Sequence, residues 1–324
     1  MPSSFALPAG LRAAASTVGG GRGLFLSTTT PSRRSGNPTP NNPLPAGAAV
    51  LQIAPYVPGE GVCAPRPEHG DAVCARCLRW HTPARARARS RDGRVFCGRE
   101  CLRAAAREFL WPDALDRSSS PLADARRRLE RHCEARGSVY PLVALRLAAS
   151  AVLSGGPSQR DRSRREAVLL QPLCYANLGA GARAALREEH AALFAAALPS
   201  AVRGDFGAEW YEGVMARLHL NAFKVQPPNL ADLASVAASG SAALAAAAML
   251  QHSCAPNLAL VFPEADARFE FVAARPLEDG EELFVSYVDE TLPVRERRRA
   301  LRRGYGFECR CEACVADLRE EGGA

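Results

Sequence analysis

Met249-Leu250-Gln251-His252-Ser253-Cys254-Ala255-Pro256-Asn257 opens the stretch around which the rest of the chain can be read. It continues through Gly280-Glu281-Glu282-Leu283-Phe284-Val285-Ser286-Tyr287 and closes on Tyr305-Gly306-Phe307-Glu308-Cys309-Arg310-Cys311-Glu312-Ala313-Cys314. The closing part holds three cysteines in a C-x-C-x2-C frame. Three thiolates need a fourth ligand to complete a tetrahedral metal site. The middle part is an acidic glycine turn that leads into an apolar, β-like run.

In this order the three parts resemble the C-terminal half of a SET domain with its post-SET cysteines. SET proteins are mostly protein-lysine methyltransferases that use S-adenosyl-L-methionine. The resemblance is to the SET-and-MYND type, and in particular to plant- or alga-type trithorax-related SET proteins with a shortened MYND-like finger. Tyr140-Pro141-Leu142-Val143 and the run from Trp210-Tyr211 to Phe223 carry that subtype. The resemblance covers roughly residues 11–317. It implies an α+β fold: a mainly-β SET domain with an inserted zinc-binding finger, a helical insert and a post-SET zinc cluster. The boundaries it implies are 11–62 for the N-terminal part of the SET domain, 63–110 for the finger and 111–220 for the helical insert. The SET core follows at 221–303 and the post-SET cluster at 304–317.

Composition is compatible with that reading. A chain of 324 residues is long enough for a large single domain or two units. No run of about 18 apolar residues exists, which argues against a membrane span. Lys+Arg of 41 against Asp+Glu of 34 gives a net charge of +7, with Lys224 the single lysine. The arginine and alanine excess suits biased coding as well as function, so the basic balance carries little weight for nucleic-acid binding. The sequence holds 11 cysteines, seven of them in metal-ligand frames, without an apolar secretory core, which reads as metal ligation in a reducing compartment. The first residues are rich in Ser, Thr, Ala and Arg, like an organelle transit peptide. The glycine motif at Gly21 leaves little room for one, and a flexible start is preferred. The expected location is therefore the nucleus or cytoplasm.

Along the chain, residues 11–29 read as two strands around a glycine turn, 30–47 as a loop and 48–57 as a strand. Arg85, Arg87, Arg89 and Arg91 read as a solvated loop, because no aromatic residues are interleaved for base stacking. Helices are expected over Leu122–Arg136, Tyr140–Leu153, Ala182–Leu198 and Glu209–Leu220. Strands follow over Leu258–Phe262, Arg268–Ala273 and Leu283–Val288, then a helix over Pro293–Arg303.

Cys74 and Cys77 form C-x2-C, and Cys97 and Cys101 form C-x3-C at the start of a helix expected over Gly98–Phe109. Two such pairs can close a four-thiolate zinc site; the alternative is four unrelated buried cysteines. The pattern resembles one half of a MYND finger, with the second inner pair and the H-x3-C ending missing. His81 cannot make a further site alone. His69 and His132 read as surface residues. Cys63, Cys133 and Cys174 read as small buried residues.

The resemblance implies roles for single residues. Gly21, Arg22 and Gly23, followed by Leu24-Phe25, would lie against the cofactor, although a Gly-rich turn is often only a turn. Asn221 would hydrogen-bond the cofactor's amino-acid end; an ordinary helix-terminal Asn is the alternative. Gln251 stands where the family has Asn and keeps the amide with one more methylene. His252 would contact the adenine end mainly through its backbone, and Phe307 would lie against that ring. Tyr287 would be the catalytic tyrosine, with its hydroxyl at the transferring methyl and against the cofactor. Tyr305 would be a second catalytic-site tyrosine lining the lysine channel. Either could instead be a core tyrosine with a satisfied hydroxyl. Leu244 stands where relatives often carry tyrosine. Cys254 would complete a second zinc site with Cys309, Cys311 and Cys314.

The implied activity is methyl transfer from S-adenosyl-L-methionine to a lysine of a histone tail or other protein, as a chromatin regulator and monomer. An inactive SET scaffold that docks partners is the alternative reading. A zinc-stabilised nucleic-acid binder ranks last.

Overall fold

The computed structural model of the chain describes residues 7–18, 21–27, 43–56, 60–81, 87–111, 119–153, 174, 176–229, 232 and 237–322. In chain order the elements are β1 (Leu11–Ala15), β2 (Arg22–Leu26), β3 (Ala49–Ile53), β4 (Gly61–Pro65), β5 (Ala88–Arg89), β6 (Val95–Phe96) and α1 (Arg99–Glu108). Then come α2 (Ser119–Arg136), α3 (Tyr140–Leu153), α4 (Ala180–Glu189), α5 (Ala208–Asn221), β7 (Ala222–Val225) and β8 (Gly240–Leu244). The last are β9 (Gln251–His252), β10 (Leu258–Val261), β11 (Phe269–Ala273), β12 (Phe284–Val285), α6 (Val294–Tyr305) and α7 (Glu312–Gly322). The fold is α+β, as expected. The chain divides into two compact units, one of Ile53–Ala245 with Phe262–Arg268, the other of Ser4–Gln52 with Ala246–Val261 and Phe269–Ala324.

The first unit holds a sheet in the order β4-β8-β7, with both pairings antiparallel. β8 reads Gly240-Ser241-Ala242-Ala243-Leu244. Alanine favours helix intrinsically, yet this run is a central strand because its small side chains let neighbours close in. A Cβ on Gly240 would lie 2.3 Å from the Ala64 carbonyl oxygen and 2.7 Å from Leu78 Cδ1. Close packing therefore outweighs local preference. Lys224 is exposed on β7. α3 is buried on most sides, from Val143 through Ala149. α2 turns Leu122, Ala125, Leu129 and Cys133 inward at helical spacing. α4 continues through a π turn, His190–Phe194, and a short α turn, Ala195–Ala197. There Phe194 packs 4.5 Å from Tyr211, and Phe206 packs 4.9 Å from Trp210.

Two expectations need correction here. The arginine run is not all loop: β5 pairs with β6 as a hairpin turned at Asp92-Gly93, and Arg89 forms an ion pair with Asp71. Arg85 lies outside the described residues. Cys63 and Cys133 are buried, but Cys174 is exposed. It serves the fold through its backbone carbonyl, which accepts a hydrogen bond from Asn221 Nδ2 at 2.7 Å.

The second unit contains the β1–β2 hairpin, in register from Leu11↔Leu26 to Ala15↔Arg22. It also holds the sheet β10-β11-β3 and a short parallel pair, β9 with β12. β11 alternates Phe269, Phe271 and Ala273 inward. Residues 280–283 run along β2: the Leu26 amide donates to the Glu281 carbonyl at 2.9 Å and the Leu283 amide to the Leu24 carbonyl at 2.8 Å. The strand expected over 283–288 is only Phe284–Val285. α6 buries Val294, Arg297 and Leu301. α7, not expected from the sequence, carries Cys314 in its first turn. No helix among the described residues is long and apolar enough to cross a membrane.

Candidate functional site

The first unit brings Cys74, Cys77, Cys97 and Cys101 together. Their sulfurs all lie within 4.8 Å of one another, with Cys77 and Cys97 at 3.8 Å and Cys97 and Cys101 at 3.4 Å. A tetrahedral zinc with Zn–S bonds of about 2.3 Å needs sulfurs about 3.8 Å apart. The quartet therefore fits zinc. Arg76, between the first two cysteines, donates to both Glu108 oxygens at 2.7 and 2.6 Å and reaches the Cys101 thiol. Its positive charge offsets part of the negative charge of a four-thiolate site. Each nearby histidine has a hydrogen-bond partner outside the quartet. His81 Nδ1 faces the Asp71 carbonyl at 2.8 Å, His69 Nε2 the Ala238 carbonyl at 2.9 Å, and His132 Nε2 the Glu189 carboxylate at 2.6 Å. His69 and His132 are half-buried rather than surface residues.

The second unit brings Cys254, Cys309, Cys311 and Cys314 together, again within 4.8 Å. Cys254 and Cys314 sulfurs are 3.5 Å apart, and the Cys254 amide donates to Cys311 Sγ at 3.4 Å. Four cysteines leave no open position, which suits a structural metal rather than a catalytic one. Arg297, buried on α6, donates to the Leu292 carbonyl at 2.6 Å and to Asp317 at 2.5 Å. Its guanidinium also reaches the Cys254 and Cys314 thiols. It thus joins α6, α7 and the thiolate cluster, and supplies the positive charge that such a cluster needs.

Beside this quartet lies an aromatic group. Tyr287 and Tyr305 rings are 4.8 Å apart, His252 and Tyr287 5.2 Å, and His252 and Phe307 5.9 Å. His252 has a defined role. Its Nδ1 accepts the Tyr287 amide at 3.1 Å, so the ring proton sits on Nε2, which points at Cys254 Sγ 3.3 Å away. Burial, then the Arg297 charge, pull its pKa down to about 4, so the ring is neutral near pH 7. It is a brace between the Tyr287 backbone and the thiolates. The Tyr287 hydroxyl donates to the Leu250 carbonyl at 2.6 Å. Its proton is committed there. Burial holds the Tyr305 phenol above its ordinary pKa.

Gly21, Arg22 and Gly23 lie in the same unit. Gln251 Nε2 donates to the Arg22 carbonyl at 2.7 Å, so the longer side chain spans to the glycine turn. A Cβ on Gly21 would sit 3.8 Å from that nitrogen, an ordinary contact distance. Gly23 has a separate reason to be glycine, since a Cβ there would meet Glu282 Oε1 at 2.1 Å. The Glu282 carboxylate accepts from the Thr17 amide at 2.8 Å and from its hydroxyl. Asn221 belongs to the first unit, where its amide donates to the Cys174 and Arg217 carbonyls, each at 2.7 Å. Leu244 is fully buried in β8.

Three contributors escaped the sequence reading: Glu282, Arg297 and Asn257. Asn257 accepts the Phe284 amide at 2.7 Å and donates to the Glu282 carbonyl at 2.8 Å, so it fixes the turn before β12. Its place in the opening motif was a usable clue. Nothing local distinguishes Arg297 among the arginines of its helix.

A SET-domain family model matches residues 158–288. The chain is 26% identical over 197 residues to a SET and MYND domain-containing protein of Dictyostelium discoideum, covering 59% of this chain and 56% of that one. It is 27% identical over 261 residues to the histone-lysine N-methyltransferase ATXR4 of Arabidopsis thaliana, covering 75% and 73%. It is 34% identical over 108 residues to the N-lysine methyltransferase SMYD2 of Gallus gallus, covering 33% of this chain and 23% of that one. The chain thus spans about half the length of the Dictyostelium relative and under a quarter of SMYD2. The SET-domain match and these relatives together support a SET-domain protein of the SET-and-MYND type.

Proposed function

We propose that the chain is a protein-lysine N-methyltransferase that moves a methyl group from S-adenosyl-L-methionine to a lysine of a histone or other protein. One observation carries the reading. The Tyr287 hydroxyl has its proton fixed on the Leu250 carbonyl, inside a group with His252, Tyr305 and Phe307. An oxygen held that way offers lone pairs to a carbon that gains positive charge during transfer. The names of ATXR4 and SMYD2 support the same reaction.

S-adenosyl-L-methionine would supply the activated methyl group. The turn Gly21-Arg22-Gly23, Gln251, the backbone of His252 and the ring of Phe307 would hold it. Tyr287 and Tyr305 would line the approach of the lysine. A lysine with a pKa of about 10.4 must lose its proton first, and a desolvated channel favours the neutral amine without a general base. The two quartets would hold zinc and keep the surrounding backbone in place. The chain acts as a monomer in nucleus or cytoplasm.

One observation favours a second reading, a SET scaffold without turnover: Gln251 already spends its amide on the Arg22 carbonyl. Calorimetry with S-adenosyl-L-methionine, followed by mass spectrometry of histones and cell proteins incubated with labelled cofactor, tests both. Binding with methyl-lysine product supports the enzyme. Absence of binding at millimolar cofactor supports the scaffold.

A further inference from the structure

The first unit contains a cavity of about 320 Å³ whose wall includes none of the residues assigned above to methyl transfer. The end of β4, the β5–β6 turn, α2 and α3 line it, together with Phe109 and Trp111. Its apolar side is Val73, Phe109, Trp111 and Leu145. Its polar side is cationic: five arginines (66, 94, 126, 127, 146) face three carboxylates (71, 92, 130).

Two of those arginines are almost wholly buried, Arg126 at 5% and Arg146 at 6% exposure. Arg146 is held rigidly. It donates to the Cys63 carbonyl at 2.7 Å and to the Ala75 carbonyl at 2.6 Å, and lies 4.0 Å over the Phe109 ring. Both hydrogen-bond partners are neutral, and among the described residues no carboxylate forms an ion pair with it. Two of the wall carboxylates pair with other arginines: Asp92 with Arg94 at 3.2 Å, and Asp71 with Arg89. Burial draws the Arg146 pKa down to about 10.

A buried guanidinium beside an aromatic floor suits one ligand chemistry. Its planar fork matches a carboxylate, and the floor takes a ring. We propose that this cavity binds a small organic anion with an aromatic body, an aryl carboxylate, held by Arg126 and Arg146 over Phe109 and Trp111. The assignment is independent of the methyl-transfer reading. A purely structural Arg146, tying β4 to the cysteine knuckle, would bind nothing.

The test is calorimetry on the full chain with 2-naphthoate. 2-Naphthamide serves as the neutral isostere, and inorganic phosphate as an anion without a body. The expected result is saturable one-to-one binding of 2-naphthoate, at least tenfold tighter than either control. Arg126→Gln should weaken it tenfold or more. Ala123→Trp, placed at a half-buried wall position, should fill the space and abolish binding without disturbing either arginine. Should Arg126→Gln fail to fold, Ala123→Trp alone decides. No saturable binding, equal affinity for acid and amide, or unchanged binding in Ala123→Trp would overturn the proposal.

Discussion

The Tyr287 hydroxyl has two possible consequences, and one substitution separates them. Tyr287→Phe removes one oxygen and one hydrogen bond to a backbone carbonyl. As a fold contact that bond contributes about 1 kcal/mol. As an electrostatic group at the reacting methyl it contributes on the order of a hundredfold in rate. We expect single-turnover rate to fall about a hundredfold while the melting temperature moves by a few degrees. Wild-type turnover in the mutant would remove Tyr287 from the chemistry. Gln251 yields a second prediction. Shortening it to Asn withdraws the amide from the Arg22 carbonyl that it now reaches at 2.7 Å. Gln251→Asn should weaken cofactor binding, measured by calorimetry; tighter binding would mean that the bridge to Arg22 competes with the ligand. At this scale the cysteines were legible because residue type and spacing alone nearly dictate that they gather into two quartets. His252 was not fully legible, since its work is done by a ring proton whose position depends on the Tyr287 amide. Glu282 and Arg297 were not, because the meaning of a buried charge depends on what packs around it.

Elements show how local rules and packing divide the work. The β1–β2 hairpin is held at Thr17 by a buried carboxylate that fills the space beside Gly23. Gly23→Ala would push that carboxylate off its two donors. We expect a loss of about 1–3 kcal/mol, typical of overpacking. The double mutant Gly23→Ala/Glu282→Ala should lose less than the sum of the singles, because the clash is gone. Additive losses in urea denaturation would show that the two residues do not meet. The cysteine quartets give a metal prediction. Purified under reducing conditions, the chain should carry about two zinc ions. Cys101→Ser and Cys309→Ser should each lose one, and metal analysis of the three proteins checks this. Helices α2 and α3 were legible from apolar spacing. β8 was not, because its alanines favour helix locally and Gly240 reveals its purpose only against Ala64 and Leu78. α7 was hidden as well. Its charged residues give little periodicity, and part of its stability comes from Arg297–Asp317 and Arg295–Glu321 across to α6.

For the whole molecule, ligand linkage gives the broadest test. If the native chain binds S-adenosyl-L-methionine, cofactor at a hundred times Kd should stabilise it by about 2.7 kcal/mol. A thermal melt with and without cofactor reads this directly; coincident curves would leave the scaffold reading standing. Long-range pairings such as Gly61 with Leu244 leave no local trace in a sequence, so the grouping into two units became visible only with coordinates.

Lys224 lies exposed on β7, and it is the only lysine of the sequence. If the chain methylates lysine as proposed, it offers a single side-chain amine of its own and is close to a blank background. Any self-methylation must map to that one position, and Lys224→Arg would erase it. The same scarcity makes the protein a clean reagent: an amine-reactive dye, tether or crosslinker would report on one side-chain address, while every partner lysine it captured would belong to something else.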